Sequence, residues 1–458
     1  MVRCTLTLSL LAVTFGSATS LAQTTDAADM HQELENTRRL VNSLESHTDH
    51  HDPQLAEPLL QLGDDLMQAG EFAEAHQTLD RGMQIVRINE GLYTRSQLPY
   101  LRKKIENFTF WNDWESARSQ LQHLFWLYRT KSRVIDRVLI DDLQDLSAMH
   151  LRGVTEDLGE YQSYHLRRAV SANWMALAAG EALWGKTDER LAPVIYNLVK
   201  HYHLQAAAVE NGGRTAYELR QIAPGSDWVR ERADARRFFY YTGLRLLRQL
   251  RGIYVDAEPA NPEGLAMSDL YLADWHAMFS RNGEAVSGYK QAYQGLQSAG
   301  IDSALIEAFF SQPSLLPESD FHDTLAEATA ARSAEQQQPR LLASSAAAET
   351  LYFNEWSAAF PYVRRPSQVN NQQPLDSSIA LFSFNIAGVT DITHWINGRK
   401  ETDLASIREP TIVQPTVESE DQQEQLLRRL EYLRFRPRLD NGEPREAAAT
   451  LMYQIASD

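Results

Sequence analysis

The chain has 458 residues, 43% hydrophobic and 23% charged, an ordinary globular composition long enough to bury sizeable cores without disulfide or metal staples. Its formal net charge of −17 excludes a general nucleic-acid-binding role, which needs a basic footprint to displace counterions. The single cysteine, Cys4, leaves no thiol after the first few residues, and so excludes cysteine catalysis, disulfides and thiolate metal sites beyond that point.

Met1, Val2 and Arg3 form a short positive head, Cys4 to Phe15 an apolar run, and Ser20-Leu21-Ala22 a small-x-small cleavage site. Residues 1–22 are therefore expected to be a signal peptide, cleaved before Gln23. The apolar run is about a dozen residues against the roughly 20 that span a bilayer, so no transmembrane anchor is expected after cleavage. From residue 26 to 46, Met30, Leu34, Val41 and Leu44 recur near helical spacing. Asp52-Pro53 then reads as an N-cap followed by proline at the first helical position, opening a helix with Leu55, Leu59, Leu62 and Leu66 that Gly70 ends.

Residues 62–82, LGDDLMQAGEFAEAHQTLDRG, place Gly63, Ala75 and Gly82 where two antiparallel helices must approach closely. Leu62, Leu66, Phe72 and Leu79 fill the seam. A second copy follows about 42 residues on, with Leu101, Ile105, Phe108, Trp114, Ala117, Leu121 and Leu124 in the same register, and a degenerate third runs from Leu272 to Tyr293. The pattern resembles the tetratricopeptide repeat, in the extended form found in kinesin light chains. That resemblance implies a stack of helical hairpins that binds other proteins.

Between the copies, 134–149, 161–183, 191–209 and 228–253 are apolar every three or four residues, with prolines and glycines as punctuation. One α-solenoid over 23–331 is the economical expectation, since each hairpin must bury its face against the next. Residues 332–375 turn to Ala, Ser and Gln and read as a low-complexity linker around an aromatic segment, LYFNEWSAAFPYV. In 376–458, the segments 379–386, 390–396, 434–439 and 447–455 read as strands, with Gly388 and Asn441-Gly442 as turns and 422–433 as a helix. The expected class is mostly α: an α-solenoid followed by a small α+β domain, β-β-α-β-β.

Residues 427–444, LRRLEYLRFRPRLDNGEP, resemble the TonB C-terminal domain family, in which a helix leads into an R-[FY]-x-P strand, a D-G-x-P turn and a last strand. Arg434, Phe435, Pro437, Gly442 and Pro444 match. The resemblance implies a periplasmic protein-binding module, in a protein secreted across the inner membrane of a Gram-negative bacterium.

No nucleophile elbow, phosphate loop or zinc-protease motif occurs, and adjacent carboxylates such as Asp64-Asp65 project apart on a helix. His47, Asp49, His50, His51 and Asp52 are metal-capable, but histidines adjacent in one loop do not converge on one centre. The expectation is no catalytic residue, no cofactor and no metal. Arg230, Arg232, Arg236, Arg237, Arg245, Arg248 and Arg251 form a basic run that reads as a solvated helix face or as a face for an anionic surface. Candidate partner-binding residues are Arg102, Lys103 and Asn107, on the exposed side of the helix before Trp111, and Arg434, Phe435 and Pro437 in the C-terminal motif. The expected function is a periplasmic scaffold, its solenoid holding one protein partner and its C-terminal module another, with no nucleic acid bound. The alternative is a cell-envelope enzyme or enzyme accessory with a site in the unaligned helices of 134–253.

Overall fold

The computed structural model describes residues 18–131, 134–157, 161–211, 218–220, 232–336, 340–342, 378–393, 400–414, 424, 427, 430 and 433–455. The chain is mostly α, with helical hairpins followed by a small α+β assembly, and it divides into two compact units, Met1–Lys131 and Ser132–Asp458. That division falls inside the segment expected as one solenoid. Among the described residues no helix is long and apolar enough to cross a membrane. The apolar run of the expected signal peptide lies outside the described residues.

The first unit holds α1 (Ala18–Glu45), α2 (Ala56–Gln68), α3 (Phe72–Glu90), α4 (Leu98–Phe110) and α5 (Trp114–Lys131). Asp52 caps the entry to α2 as expected, its carboxylate accepting from Gln54 N–H at 2.8 Å ahead of Pro53. At the end of α2, Gly70 adopts φ 81° and Glu71 N–H donates to Leu66 O at 2.8 Å, a left-handed cap that turns the chain into α3. The same cap closes α4 at the register position of the second copy, where Asn112 has φ 59° and Asp113 N–H donates to Phe108 O at 2.8 Å. It recurs in the third copy, at Ser280 with φ 57° and Arg281 N–H on His276 O at 2.8 Å. The residue at the cap changes from glycine to asparagine to serine, yet the backbone path is kept.

Leu59, Leu66, Ala75 and Leu79 are buried along the α2–α3 seam, with Gly63 directly beneath Leu79. Gly82 serves the next hairpin instead: a Cβ there would stand 2.3 Å from Cε1 of Tyr100 on α4, whose hydroxyl donates to Ala56 O. Replacing Gly82 with alanine is expected to displace that buried ring and cost about 1–3 kcal/mol. Urea unfolding checks this, and an unchanged midpoint would show that the ring has room to move.

The second unit continues with α6 (Arg137–Glu156), α7 (Gln162–Trp184), α8 (Ala192–Asn211), α9 (Arg232–Val255), α10 (Pro262–Met278), α11 (Asn282–Ser298), α12 (Ser303–Phe310) and α13 (Leu325–Gln336). Helices α6 and α7, α8 and α9, and α10 and α11 pack as hairpins. Trp275 of α10 is fully buried, its indole N–H donating to Tyr240 O of α9 at 3.0 Å. Helix α13 and a short strand, β2 (Arg340–Leu342), occupy the start of the segment expected as a linker. The aromatic stretch LYFNEWSAAFPYV lies outside the described residues.

Three further strands enter this unit in turn: β1 (Ser314–Leu316) between α12 and α13, then β3 (Ser378–Ile386) and β4 (Val389–Thr393). After them come β5 (Lys400–Leu404), β6 (Ile407–Gln414), β7 (Arg434–Arg436), β8 (Arg438–Asp440), β9 (Glu443–Arg445) and β10 (Ala447–Ile455). The main sheet has the order β2-β10-β3-β6, with β10 antiparallel to β3 from Ala447 opposite Ile386 to Ile455 opposite Ser378. Where 379–386 and 390–396 could have made a hairpin about Gly388, the described part of the second segment, β4, does not pair with β3. The chain runs on through Gly388 without reversing, so β4 pairs with β5 while β3 pairs with β6, and Ala387 N–H bonds Ser406 O at 2.9 Å where the two ladders meet.

The expected strand 434–439 is broken at Pro437, which has no N–H to give a ladder, into β7 and β8 with different partners. Asn441 and Gly442, at φ 50° and 78°, make the tight turn of the β8–β9 hairpin, as their sequence implied. Of the expected helix 422–433, residues 424, 427, 430 and 433 are described; the first three are helical and Leu433 is not. Leu430 joins Phe382, Phe384, Ile386 and Phe435 in the core of this assembly.

Candidate functional site

Helix α4 separates its three candidate residues. Lys103 donates to Asp64 at 2.6 Å and lies 3.1 Å from Glu106, so two carboxylates already engage it. Arg102 is half-buried beside it. Asn107 is not on the exposed side: it is fully buried, and its amide donates to Phe72 O at 2.9 Å, tying α4 to the first residue of α3. The periodicity of apolar residues placed Asn107 outside because an amide does not register as core. On the exposed surface nearby, Trp111 and Trp126 show 48% and 39% of their area, and Tyr93 meets the Trp126 ring edge-on at 5.5 Å.

The C-terminal candidates lie in a joint rather than on a face. Strand β7 pairs antiparallel with β1, with Ser314 opposite Arg436, Leu315 opposite Phe435 and Leu316 opposite Arg434. Phe435 is core, 5.5 Å ring to ring from Phe384, and Pro437 is buried; Arg434 is half-buried and donates to Leu433 O at 2.9 Å. The alternation that turns Phe435 toward the sheet turns Arg436 to the opposite side, into the helices.

Arg436, which the sequence did not single out, is 1% exposed. Its Nε donates to Asp274 Oδ1 at 2.9 Å, one Nη grips Asp274 Oδ2, and the other donates to Glu318 Oε1 at 2.9 Å. Arg332 of α13 donates to the same Glu318 oxygen at 2.8 Å and to Phe309 O at 2.6 Å. The Tyr289 hydroxyl donates to Asp274 at 3.0 Å, and the Tyr271 hydroxyl lies 3.1 Å from Glu318 Oε2. Burial by itself would raise the Glu318 carboxyl, but Arg436 and Arg332 outweigh it and bring it down to about 2. Burial dominates at Asp274 and holds it above the usual carboxylate range despite Arg436. Every oxygen of both carboxylates has a protein partner, so neither is free to take a substrate proton. This is a structural clasp.

The unaligned helices place several histidines inside. Ser147 and His201 meet at 3.0 Å, but both are about 2% exposed or less, and burial lowers His201 to about 4. A nucleophile needs access that this serine lacks. His150 and His165 touch Nδ1 to Nδ1 at 3.0 Å, with Asp157 3.0 Å from the other nitrogen of His165, all buried between α6 and α7. Burial, with His165 and Arg168, holds His150 well below the ordinary imidazole range. Among the described residues no three His, Cys, Asp or Glu side chains gather as a metal site.

Two surface features remain in this unit. A shallow cavity of about 560 Å³ lies along α10 and α11, lined by Asp269, His276, Glu284, Ser287 and Gln291 among others. Beside it runs α9. Arg236 and Arg251 are taken up by Glu210 and Asp269, while Arg237, Arg245 and Arg248 are exposed. Arg230 and the side chain of Arg232 lie outside the described residues.

No protein-family model matches the chain, and no curated protein does. Among solved structures it is similar to the nearly identical TPR-like repeats of a Podosopora anserina kinesin light chain, at 13% identity and a TM-score of 0.35, over 56% of this chain and 99% of that one. It is also similar to BtubC (BKLC) from P. vanneervenii, at 13% identity and a TM-score of 0.30, over 61% of this chain and 90% of that one.

Proposed function

We propose that the protein is a non-catalytic interaction scaffold of the cell envelope, working in the periplasm and holding two protein partners. The observation that carries this reading is the disposition of its polar groups: the carboxylates of the clasp are fully engaged and the one serine–histidine contact named above is sealed, while aromatic and basic side chains stand on the surface. The first partner docks along α4, which carries the half-buried Arg102 and Lys103 and ends at the exposed Trp111. The second adds a strand to β10. Only Tyr453, Gln454 and Ile455 of β10 pair with β2, so among the described residues its 447–452 edge opposite β3 carries no neighbour.

A photo-crosslinker placed at Arg102 in one full-length variant and at Ala448 in another, used in living cells and read by mass spectrometry, tests both ends. Different captured proteins are expected at the two positions. The same protein at both would remove the two-ended reading, and capture at neither would remove the scaffold reading.

A further inference from the structure

Helix α9 carries a straight stripe made of Arg237, Tyr241, Arg245, Arg248, Gly252 and Val255, each three or four residues from the last and so on one face. At 1.5 Å per residue it runs for about 27 Å. The opposite face is core, with Phe239, Leu246, Leu250 and Ile253 buried. Tyr241 and Val255 are 55% and 53% exposed. The flanking arginines have acidic partners, Glu210 for Arg236 and Asp269 for Arg251, and the flanking Gln249 takes Glu181 at 2.8 Å. The three on the stripe have none among the described residues. Arg281 adds a further exposed cation next to α9, 5.3 Å from the Tyr240 ring centroid. In a chain of net charge −17, a continuous cationic line with no acid on it is the strongest local departure from the average.

We propose that this stripe is a docking face for the surface of an anionic lipid bilayer. A helix ridge presents side chains to a plane, whereas an extended peptide or a nucleic-acid strand needs a groove to lie in. The arginines would take the phosphate groups of the lipid heads, and Tyr241 would sit at headgroup level, as its amphipathic ring favours. Val255 supplies an aliphatic contact that a bilayer can use and a polyphosphate cannot. Charges more than about a Debye length from the plane, roughly 8 Å at physiological salt, are screened; of the acids close to α9, Glu210, Asp269 and Glu181 are engaged by Arg236, Arg251 and Gln249, and Glu284 shares the surroundings of His276 with both Arg248 and Arg281.

The test is co-sedimentation of the full-length protein with vesicles rich in phosphatidylglycerol, against vesicles of phosphatidylcholine alone. Retention is expected on the first, falling as salt rises, and little on the second. The triple variant R237Q/R245Q/R248Q should melt like the unmodified protein, since all three side chains are exposed, and should bind anionic vesicles about a hundredfold more weakly. A second variant, Y241A/V255S, should weaken vesicle binding without changing retention on heparin. Equal binding to both vesicle types would overturn the proposal, as would an undiminished triple variant. Retention on heparin or on a polyglutamate column without retention on vesicles would overturn it in favour of a polyanion site. None of these outcomes depends on which proteins are captured at α4 or β10.

Discussion

Replacing Arg436 with alanine is expected to remove about 3–5 kcal/mol of stability from the unit Ser132–Asp458, because it leaves Asp274 and Glu318 buried with one of their cations gone. The guanidinium makes three bonds across the joint between β7 and the helical side, with Arg436 and Asp274 buried and the Glu318 side chain only 13% exposed. Arg436→Lys keeps the charge but cannot grip Asp274 with two parallel donors, so it should fall between alanine and the natural residue. The triple variant R436M/D274N/E318Q removes the charges together. It should recover part of the alanine loss, since an uncompensated buried charge costs more than a neutral, well-packed site. Urea unfolding followed by circular dichroism gives the size, and limited proteolysis gives the place: cleavage should appear first within 433–446 as β7 leaves β1. An R436A protein with the natural midpoint and cleavage pattern would show that the clasp contributes nothing net.

The contrast between what was and was not legible in the sequence follows from separation along the chain. The repeat turns were readable because the signal is local: Leu66, Gly70 and Phe72 fall within a seven-residue stretch, and the same spacing at Phe108, Asn112 and Trp114 folds into the same cap. Asn441-Gly442 was readable for the same reason, since the hairpin needs positive φ at two consecutive residues. The clasp was not. Arg436 meets Asp274 and Glu318 from 162 and 118 residues away, and nothing near any of the three marks it as buried. Nor could β1 be read: Ser314–Leu316 is three residues between Pro313 and Pro317, too short to show alternation. Without β1 the R-F-R-P motif looked like the face of a free module, when its phenylalanine fills a core and its second arginine locks to α10. Asn107 shows the same limit on a smaller scale, since its partner is the backbone of Phe72 in another helix, and a hydrophobic count ranks an amide as surface.

The same clasp makes the unit sensitive to acid, and the sign can be fixed from Glu318. Its folded carboxyl titrates at about 2, below the ordinary value of 4.5, so its stabilisation is complete above pH 4.5 and is lost as the pH falls toward 2. A shift of that size corresponds to about 3 kcal/mol. Asp274 acts in the opposite sense: its raised carboxyl takes up a proton more readily in the folded chain than in the unfolded one, so it does not add to acid unfolding. Between pH 5 and pH 2 the steep loss should therefore belong to Glu318 alone among the two. Glu318→Gln should be less stable than the natural protein at pH 6, with Arg436 left to Asp274 alone and Arg332 deprived of its carboxylate, and its stability should fall less between pH 5 and pH 2. The two curves are expected to converge near pH 2, measured as urea midpoints at each pH. If the natural protein and E318Q lose stability in parallel over that range, the acid sensitivity arises elsewhere, and the pull of the two guanidinium groups on Glu318 is weaker than their distances of 2.8 and 2.9 Å imply.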